Sequence, residues 1–568
     1  MKMNKIYILA FAAVILPATL AAQMQKQVEV TRDYVPSIER AQKLAVEPDM
    51  TDTTRMRPDI DYSITPLSWQ TSLTTDKFRP ATVTYWDFNR PSPFYIKAGV
   101  GIPLQSEGDI YVSTQNPDTG FAQFRVNHRG TYDNVKNYFG EKHDSRSMDN
   151  LAGITLGLYT GRRQLAGDFS YEDRNRRRYS ASSTPESDAY VPAVAAALGD
   201  RINTGRLCGE IRFGDDFADL SRTNFNVAVR GIFFRDDSKK RDAALEEFKA
   251  RYGEYAYGAS ASVARRLGRN TLRADADYDA VRGTGDLGYG SSRVHAALRY
   301  GREAGFVEYL LGADYWYDAV RGTDARHRVA PYLRLRFNIS RKGHIVPFVE
   351  ADGELSDNDF MSLSRENPYV VPGTVLDAGT MRYNFRAGIA GNLAASRLSY
   401  RVFVSASFAD DDRYWYVRDY MWFGVVKGRR NIFSLEGDIT YRPVSGLELS
   451  AMARASRFGG NKTGLCNTLP SFEGRASAQY TGRRWKLGAS ADLASRTEWT
   501  NLVGDDRYNA RIFKAPFTVD LRAVFEWSFG EEVSIFVEGR NLLNNRIYGL
   551  AYCPGYGIGG LAGVKLQF

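Results

Sequence analysis

The histidines are the residues whose chemistry would first suggest catalysis or metal binding. The chain has five of them, at positions 128, 143, 295, 327 and 344. None stands in the His-Glu-x-x-His spacing that brings two imidazoles to one metal ion, and no Gly-x-Ser-x-Gly turn accompanies them. Walker loops and dinucleotide fingerprints are also missing. The sequence therefore predicts no catalytic, cofactor-binding or metal-ligating residues and no enzyme, although a Ser–His pair from distant segments stays open.

Cysteine chemistry is limited to Cys208, Cys466 and Cys553. Three thiols make neither a disulfide framework nor a metal cluster. The strand pattern described below places Cys466 and Cys553 in outer loops. A disulfide between these two, or free thiols, are the alternatives.

The segment from Asp410 to Phe423 combines carboxylates with aromatic rings. Stacked aromatic side chains bind sugar rings or partners, and carboxylates ligate Ca²⁺, although the spacing of a calcium loop is absent. This predicts outer-loop contacts through Trp415, Tyr416 and Trp422. The favoured alternative is an aromatic belt at the lipid headgroups, because membrane barrels require one.

The segments that carry these residues alternate in polarity with a period of two. Side chains on a strand point to opposite faces in turn, so each segment has an apolar and a charged side. Arg334 and Arg386 on the polar side would cost about 2–4 kcal/mol in mid-bilayer lipid, so those sides must face inward. The apolar sets are Phe517, Val519, Leu521, Ala523, Phe525, Trp527 and Phe529; Met381, Tyr383, Phe385, Ala387 and Ile389; Leu333, Leu335, Phe337 and Ile339; and Tyr400, Val402, Val404, Ala406 and Phe408.

These segments run for about 10–15 residues, which suits a tilted bilayer crossing better than a soluble sheet. Connections alternate between tight and long, as in bacterial barrels. We predict an all-β fold: a transmembrane antiparallel up-and-down β-barrel of about 22 strands, with 16 to 20 as the alternative. Tight turns are expected at 160–163, 268–270, 301–305, 341–343, 443–446, 481–484 and 530–532, and long loops at 180–202, 238–255, 357–378, 409–430, 457–470, 497–515 and 545–556.

The polar sides predict a lumen lined by charges of both signs. Such charges can pair across the interior, bind a segment of the chain, or solvate a channel wall. The expected lumen residues are Arg273, Asp275, Asp277, Asp279, Arg293, Arg299, Asp520, Arg522, Glu526, Glu538 and Arg540. Two of the long loops, Asp188–Asp200 and Asp242–Arg251, carry helix-like spacing and are expected to form short loop helices.

Composition excludes two other classes of protein. The 568 residues carry a formal charge of +9, but Lys and Arg are spread among Asp and Glu, which argues against binding of nucleic acid. After the first two dozen residues no run of about 20 apolar residues appears, so transmembrane helices are not expected.

The N-terminus has the pattern of a secretory signal peptide. Lys2 and Lys5 precede the apolar stretch from Ile6 to Leu16, and cleavage is expected before Gln23. Residues 1–22 would thus be the signal, and the proline-rich residues 23–92 an extended periplasmic or lumenal arm. Residues 93–568 would form the barrel.

The C-terminal segment resembles the closing hairpin of TonB-dependent receptors. Asn541, Leu542, Leu543, Asn544 and Tyr548 fill the places of that family's closing motif. Phe568, with Leu566 and Val564, resembles the signal read by the outer-membrane assembly machinery. Val28–Tyr34, Asp61–Ser63 and the segment 94–112 are similar to a Bacteroidota branch of such barrels.

The resemblance implies a receptor-like, porin-like barrel in the cell outer membrane that binds or passes a solute, with transport as its role and no cofactor. The arm is shorter than the folded plug of the family, and the short β-branched run Val28–Thr31 fits a plain strand better than a TonB box. The competing hypothesis is a non-transporting structural subunit of an outer-membrane assembly or secretion complex. Expected partners are outer-membrane lipid, the assembly machinery during biogenesis, and periplasmic or outer-membrane proteins that contact residues 23–92.

Overall fold

The computed structural model describes residues 93–116, 119–179, 201–241, 247–249, 252–285, 287–340, 343–377, 379–393, 397–418, 420, 422–503 and 510–568. The predicted signal peptide and arm (1–92) and the predicted loop helix at 188–200 lie outside these residues.

Most of the described chain is β-strand, as the period of two predicts. The elements are β1 (Phe94–Ile102), β2 (Gln105–Asn116), β3 (Gly120–Thr131), β4 (Asn134–Lys136), β5 (Lys142–Asp144), β6 (Ser147–Thr160), β7 (Arg163–Arg177), β8 (Arg201–Asp215), β9 (Asn224–Asp236), β10 (Lys239–Arg241), β11 (Glu247–Lys249), β12 (Tyr252–Leu267), β13 (Asn270–Gly285), β14 (Gly290–Arg302), β15 (Val307–Val320), β16 (Arg326–Phe337), β17 (Val346–Ser356), α1 (Phe360–Glu366), β18 (Thr380–Leu393), β19 (Leu398–Arg418), β20 (Trp422–Tyr441), β21 (Leu447–Gly459), β22 (Phe472–Thr481), β23 (Trp485–Ala494), β24 (Thr497–Leu502), β25 (Ala510–Ala515), β26 (Thr518–Ser528), β27 (Val533–Arg540), β28 (Tyr548–Leu550), β29 (Cys553–Pro554) and β30 (Gly559–Gln567).

The strands form one closed antiparallel barrel. The main sheet holds 24 strands, of which β24 and β25 form a hairpin outside the wall, so the wall has 22. Each wall strand pairs with its neighbour along the chain, and β1 pairs with β30 from Tyr95↔Gln567 to Ile102↔Gly560. Closure leaves no free sheet edge, which a lipid environment requires. The predicted fold and strand number are confirmed.

The two faces of the wall divide as the alternation predicts. Val402 and Val404 of β19 are exposed on the outer face, whereas Arg401 and Phe403 between them are buried on the inner face. In β26, Phe525 and Trp527 are exposed and Glu526 is buried. The barrel therefore presents an apolar outer surface and a polar lining.

The connections also separate by length. The seven predicted tight turns all lie at one end of the barrel, which we call the turn end, and the long connections lie at the opposite end, the loop end. Antiparallel pairing of successive strands enforces this separation, because alternate connections must fall at the same end.

The long loop predicted at 409–430 is wrong. β19 and β20 continue as a paired hairpin as far as Arg418↔Trp422. The register shifts between Ala409 and Asp412, which marks a β-bulge. A bulge inserts an extra residue and breaks the alternation of faces. The alternating sequence pattern therefore stops at the bulge, although the strand continues.

The predicted helix at Asp242–Arg251 is also wrong over its described part. Residues 247–249 form β11, which pairs with β10, and Phe248 lies opposite Lys240. The described helix α1 lies instead within 357–378. Asp359 caps it, accepting a hydrogen bond from the Ser362 amide at 2.7 Å. No helix in the described part of the chain has the length and apolar character needed to cross a bilayer.

Candidate functional site

Segments from opposite sides of the barrel meet across its loop end. We call them the lid: the described residues of 132–146, 357–379, 413–425, 497–515 and 541–558. Tyr138 lies 5.4 Å from Phe513 between ring centroids, and Phe139 lies 5.8 Å from Tyr420. These residues come from wall positions far apart in strand order, so their contacts span the mouth.

An apolar core packs the lid segments against one another. Its rings pack edge to face, an arrangement that adds to the gain from burial. Phe423 is fully buried, 5.7 Å from Trp499. The described members of this core on the lid are Phe360, Leu363, Tyr369, Val370, Trp415, Val417, Tyr420, Phe423, Val425, Trp499, Phe513, Ala515, Ala551, Tyr552 and Cys553. The same core includes Ile202 of β8 and Phe234 of β9, so it also joins the lid to the wall.

Backbone hydrogen bonds join the lid segments as well. β24 pairs in parallel with the end of β19, with Val417 opposite Asn501. The Asn501 side chain accepts from the Tyr420 amide at 3.3 Å and donates to the Tyr552 hydroxyl at 3.4 Å. The Val371 amide donates to the Phe423 carbonyl at 3.1 Å. The lid is therefore a folded unit.

One buried carboxyl ties the lid to the wall. Glu254 of β12 is 1% exposed and accepts hydrogen bonds from the amides of Phe360 at 2.7 Å and Met361 at 2.8 Å, and from the Tyr289 hydroxyl. Burial raises the pKa of the neighbouring Asp359, and the Asp357 carboxylate raises it further. The first turn of α1 thus rests on an acid of the barrel wall.

The three consecutive carboxylates of the segment 410–423 are engaged by arginines. Asp410 pairs with Arg429 at 2.7 Å, and Asp411 pairs with Arg326 at 2.7 Å. Asp412 is buried between Arg382 at 3.1 Å and Arg430 at 3.3 Å. Within the described residues no three His, Cys, Asp or Glu side chains converge as metal ligands would. These aspartates fix the β19–β20 hairpin.

The aromatic residues beside them do not form a lipid belt. Tyr414 is buried under the Arg430 guanidinium, 4.1 Å from its ring centroid. Trp415 is 6% exposed, and its Nε1 donates to Glu366 Oε1 at 2.6 Å. The favoured belt is therefore wrong for these two residues, and Trp415 is not available as an outer contact. Tyr416 is half-buried, and the Trp422 side chain lies outside the described residues.

The closing-hairpin motif shapes the lid segment 541–558. Asn541 and Asn544 both have left-handed backbones, with φ of 46° and 52°. Asn541 Nδ2 donates to the carbonyls of Asn545 at 2.8 Å and Tyr556 at 3.0 Å. Asparagine tolerates positive φ, which explains the residue type. Leu542 and Leu543 are exposed, and Tyr548 packs 5.1 Å from Phe513.

The C-terminal residues close the barrel. Val564 lies opposite Ala98, and Leu566 lies opposite Ile96. Phe568 exchanges backbone hydrogen bonds with Phe94, at 3.0 and 3.3 Å. Its aromatic ring is half exposed at the turn end.

The structure decides between the two alternatives for Cys466 and Cys553, a disulfide or free thiols. Cys466 and Cys553 do lie in long connections at the loop end, but both are free, as is Cys208. Cys553 is 4% exposed within the lid core, and burial raises its pKa to about 12. The Cys466 amide instead donates to Thr500 Oγ1 at 2.8 Å. The two thiols are held in different packing environments, so no disulfide forms.

The predicted lumen charges are paired with one another or with neighbours on adjacent strands and loops. Arg299 contacts Asp275 at 3.5 Å and Asp314 at 2.9 Å, and His295 contacts Asp277 and Asp314 at 3.0 Å. The remaining pairs are Arg273–Asp275, Arg230–Asp279, Arg293–Asp357, Arg522–Asp520, Arg540–Glu538 and Lys565–Glu526. Pairing within the wall, one of the predicted alternatives, is what the structure has.

A cavity lies between the wall strands β7 to β9 and the lid segment 360–372. Its free space, including the part open to solvent, is about 600 Å³. Its charged lining residues are Glu172, Arg174, Arg176, Arg178, Arg206, Asp236 and Arg365. Sequence reasoning missed this cavity, although the four arginines between 174 and 178 were a visible signal.

Solved structures share this fold. The copper transporter OprC is 12% identical with a TM-score of 0.63, and the match covers 84% of this chain and 80% of OprC. The FrpB iron transporter from Neisseria meningitidis is 11% identical with a TM-score of 0.64, covering 84% and 82%. The siderophore receptor PirA from Acinetobacter baumannii is 10% identical with a TM-score of 0.62, covering 84% and 80%.

No protein-family profile and no curated protein matches the sequence. At identities this low, the structural likeness establishes the barrel fold that the closing-hairpin resemblance implied.

Proposed function

We propose that this chain is an outer-membrane barrel that binds a solute at its loop end and passes it when the lid opens. The apolar outer face of the 22-strand wall supports a place in lipid. The first wall strand begins and the last wall strand ends at the turn end, which suits a periplasmic N-terminal arm and an outward loop end. A cleaved signal peptide at 1–22 would deliver the chain there.

The observation that carries this proposal is the folded lid across the mouth. A structural barrel needs only a stable wall. In this chain an apolar core and a buried acid also hold one end of the barrel closed. The likeness to barrels named as copper and iron transporters and a siderophore receptor supports passage of a solute.

The test is conductance of the purified protein in planar bilayers. Replacing residues 359–376 by a Gly-Ser linker removes the central lid segment and should raise open probability or conductance. Because residues 23–92 are a second candidate stopper, the same replacement is also measured in a chain that lacks them. Glu448→Ala, an exposed change at the turn end, is the matched control.

If neither lid removal, arm removal nor both together produces conductance, the proposal fails. Stable co-purification with other outer-membrane proteins, together with absent conductance, would favour the structural-subunit alternative. Energy coupling through TonB is tested separately, by asking whether solute uptake by cells needs the membrane potential.

A further inference from the structure

The cavity under the lid is strongly basic. Among the described residues, five arginines and two acids line it, and together they carry a net charge of +3. Elsewhere in the lumen, basic and acidic side chains pair with one another, as Asp314 does with His295 and Arg299. A basic excess in an enclosed space favours an anionic occupant, because low-dielectric walls strengthen its attraction.

The carboxylates present do not satisfy these arginines. Glu172 alone serves three of them: Arg174, Arg206 at 3.9 Å and Arg365 at 2.5 Å. Arg176 pairs with Asp149 at 2.8 Å. The Nε atoms of Arg176, Arg178 and Arg206 are buried and have no hydrogen-bond partner among the residues that the structure describes. Unused donors thus surround the cavity.

Arg178 is the extreme case. It is 9% exposed, and among the described residues no carboxylate lies within ion-pair distance of it. Its Nη1 donates to the Tyr369 carbonyl at 3.0 Å. Burial lowers its pKa, and Asp236 opposes that effect only from a greater distance. A buried guanidinium without a counter-ion is costly, so the site is incomplete without an anion.

We propose that this cavity binds an oxyanion group, a phosphate or carboxylate of a small soluble solute, with Arg178 as its principal contact. This names the class of solute and rests on the proposed function. The planar fork of a guanidinium matches the paired oxygens of both groups.

An oxyanion at this position also joins the lid to the wall. Arg365 belongs to the lid, whereas Arg174 belongs to β7 and Arg206 to β8. An anion held by both sets stabilises the closed lid. Binding should therefore slow lid opening by the factor 1 + [L]/Kd.

The first test measures binding of pyrophosphate and citrate to the full chain in detergent by calorimetry. Arg178→Met removes the charge and keeps most of the apolar stem. It should weaken binding by about tenfold or more, and binding should weaken with added salt. The control Arg429→Met removes an exposed loop-end arginine that contacts Asp410, and it should bind as the wild type does.

The second test needs no change at the cavity. In Cys208→Ser/Cys466→Ser protein, a maleimide reports opening through the buried Cys553, whose thiol borders Arg178 and Tyr369. Pyrophosphate at 100 times its Kd should slow labelling by about 100-fold. This measurement keeps the proposal testable if Arg178→Met does not fold.

Several results would overturn the inference: no binding of either soluble anion, equal affinity in wild type and Arg178→Met, or equal losses in Arg178→Met and Arg429→Met. Binding only to vesicles that contain phosphatidylglycerol would assign the cavity to lipid and also overturn it. The conductance measurement separates failure of this inference from failure of the proposed function. A barrel that conducts but binds neither anion refutes only the inference, whereas a barrel that binds an anion but never conducts refutes only the proposed function.

Discussion

Lid opening can be tested at a single buried acid. Glu254→Ala removes the acceptor of the Phe360 and Met361 amides, which lie at 2.7 and 2.8 Å in the closed lid. A buried amide left without a partner costs about 1–3 kcal/mol, so two cost about 2–6 kcal/mol. The variant no longer buries a carboxyl group, which offsets part of this cost. We therefore expect the free energy of lid closure to fall by about 3 kcal/mol. That corresponds to about 100-fold more open lid.

The assay is the rate at which a maleimide modifies Cys553, which is 4% exposed in the closed lid. With Cys208 and Cys466 replaced by Ser, the rate should rise about 100-fold in Glu254→Ala. Glu254→Gln keeps one acceptor oxygen and should give an intermediate rise of about tenfold. Glu448→Ala, at the turn end, should leave the rate unchanged.

Barrel integrity is followed in parallel by heat-modifiable migration on gels, so that global unfolding is not mistaken for lid opening. If the barrel is intact and Cys553 reacts at the wild-type rate in Glu254→Ala, then Glu254 does not hold the lid closed and the reasoning fails.

Three further predictions use the same lid. Phe423→Ala removes a fully buried ring and should cost about 3–5 kcal/mol of lid stability, seen as Cys553 labelling more than 100-fold faster, whereas exposed Phe529→Ala should change nothing. Asn541→Ala should lower the free energy of unfolding by about 3 kcal/mol, seen as a lower thermal midpoint. Asn541→Gly should lower it by about 1 kcal/mol less, because glycine accepts the φ of 46°. The raised pKa of Asp359 means that the closed lid holds its proton more tightly than the open lid, so closure should weaken as pH rises from 3.8 through the raised pKa. Asp359→Asn keeps the helix cap and should make lid opening less dependent on pH. Opening is measured as the rate of Cys553 labelling divided by that of a free thiol at the same pH. If the variant shows the same pH dependence as the wild type, Asp359 is not the titrating group.

The sequence predicted the wall well because wall structure is local. Whether a side chain such as Val404 or Arg401 faces lipid or lumen depends only on the parity of its position along the strand. The closure, the strand number and the separation of tight turns from long loops follow from the same repeated pattern. Where the pattern failed, at 409–430, a bulge had shifted that parity.

The lid and its cavity could not be read from the sequence, because their contacts join residues far apart along the chain. Tyr179 donates to the Pro554 carbonyl, and Arg178 to the Tyr369 carbonyl. An aromatic cluster such as Tyr414 and Trp415 has the same composition whether it faces headgroups or packs in a core. The free state of Cys466 and Cys553 likewise depended on how the loops fold. Alternation along the strands fixed which residues face outward, whereas only the closed tertiary structure decided which distant loops meet over the mouth, since loop packing has no repeating period.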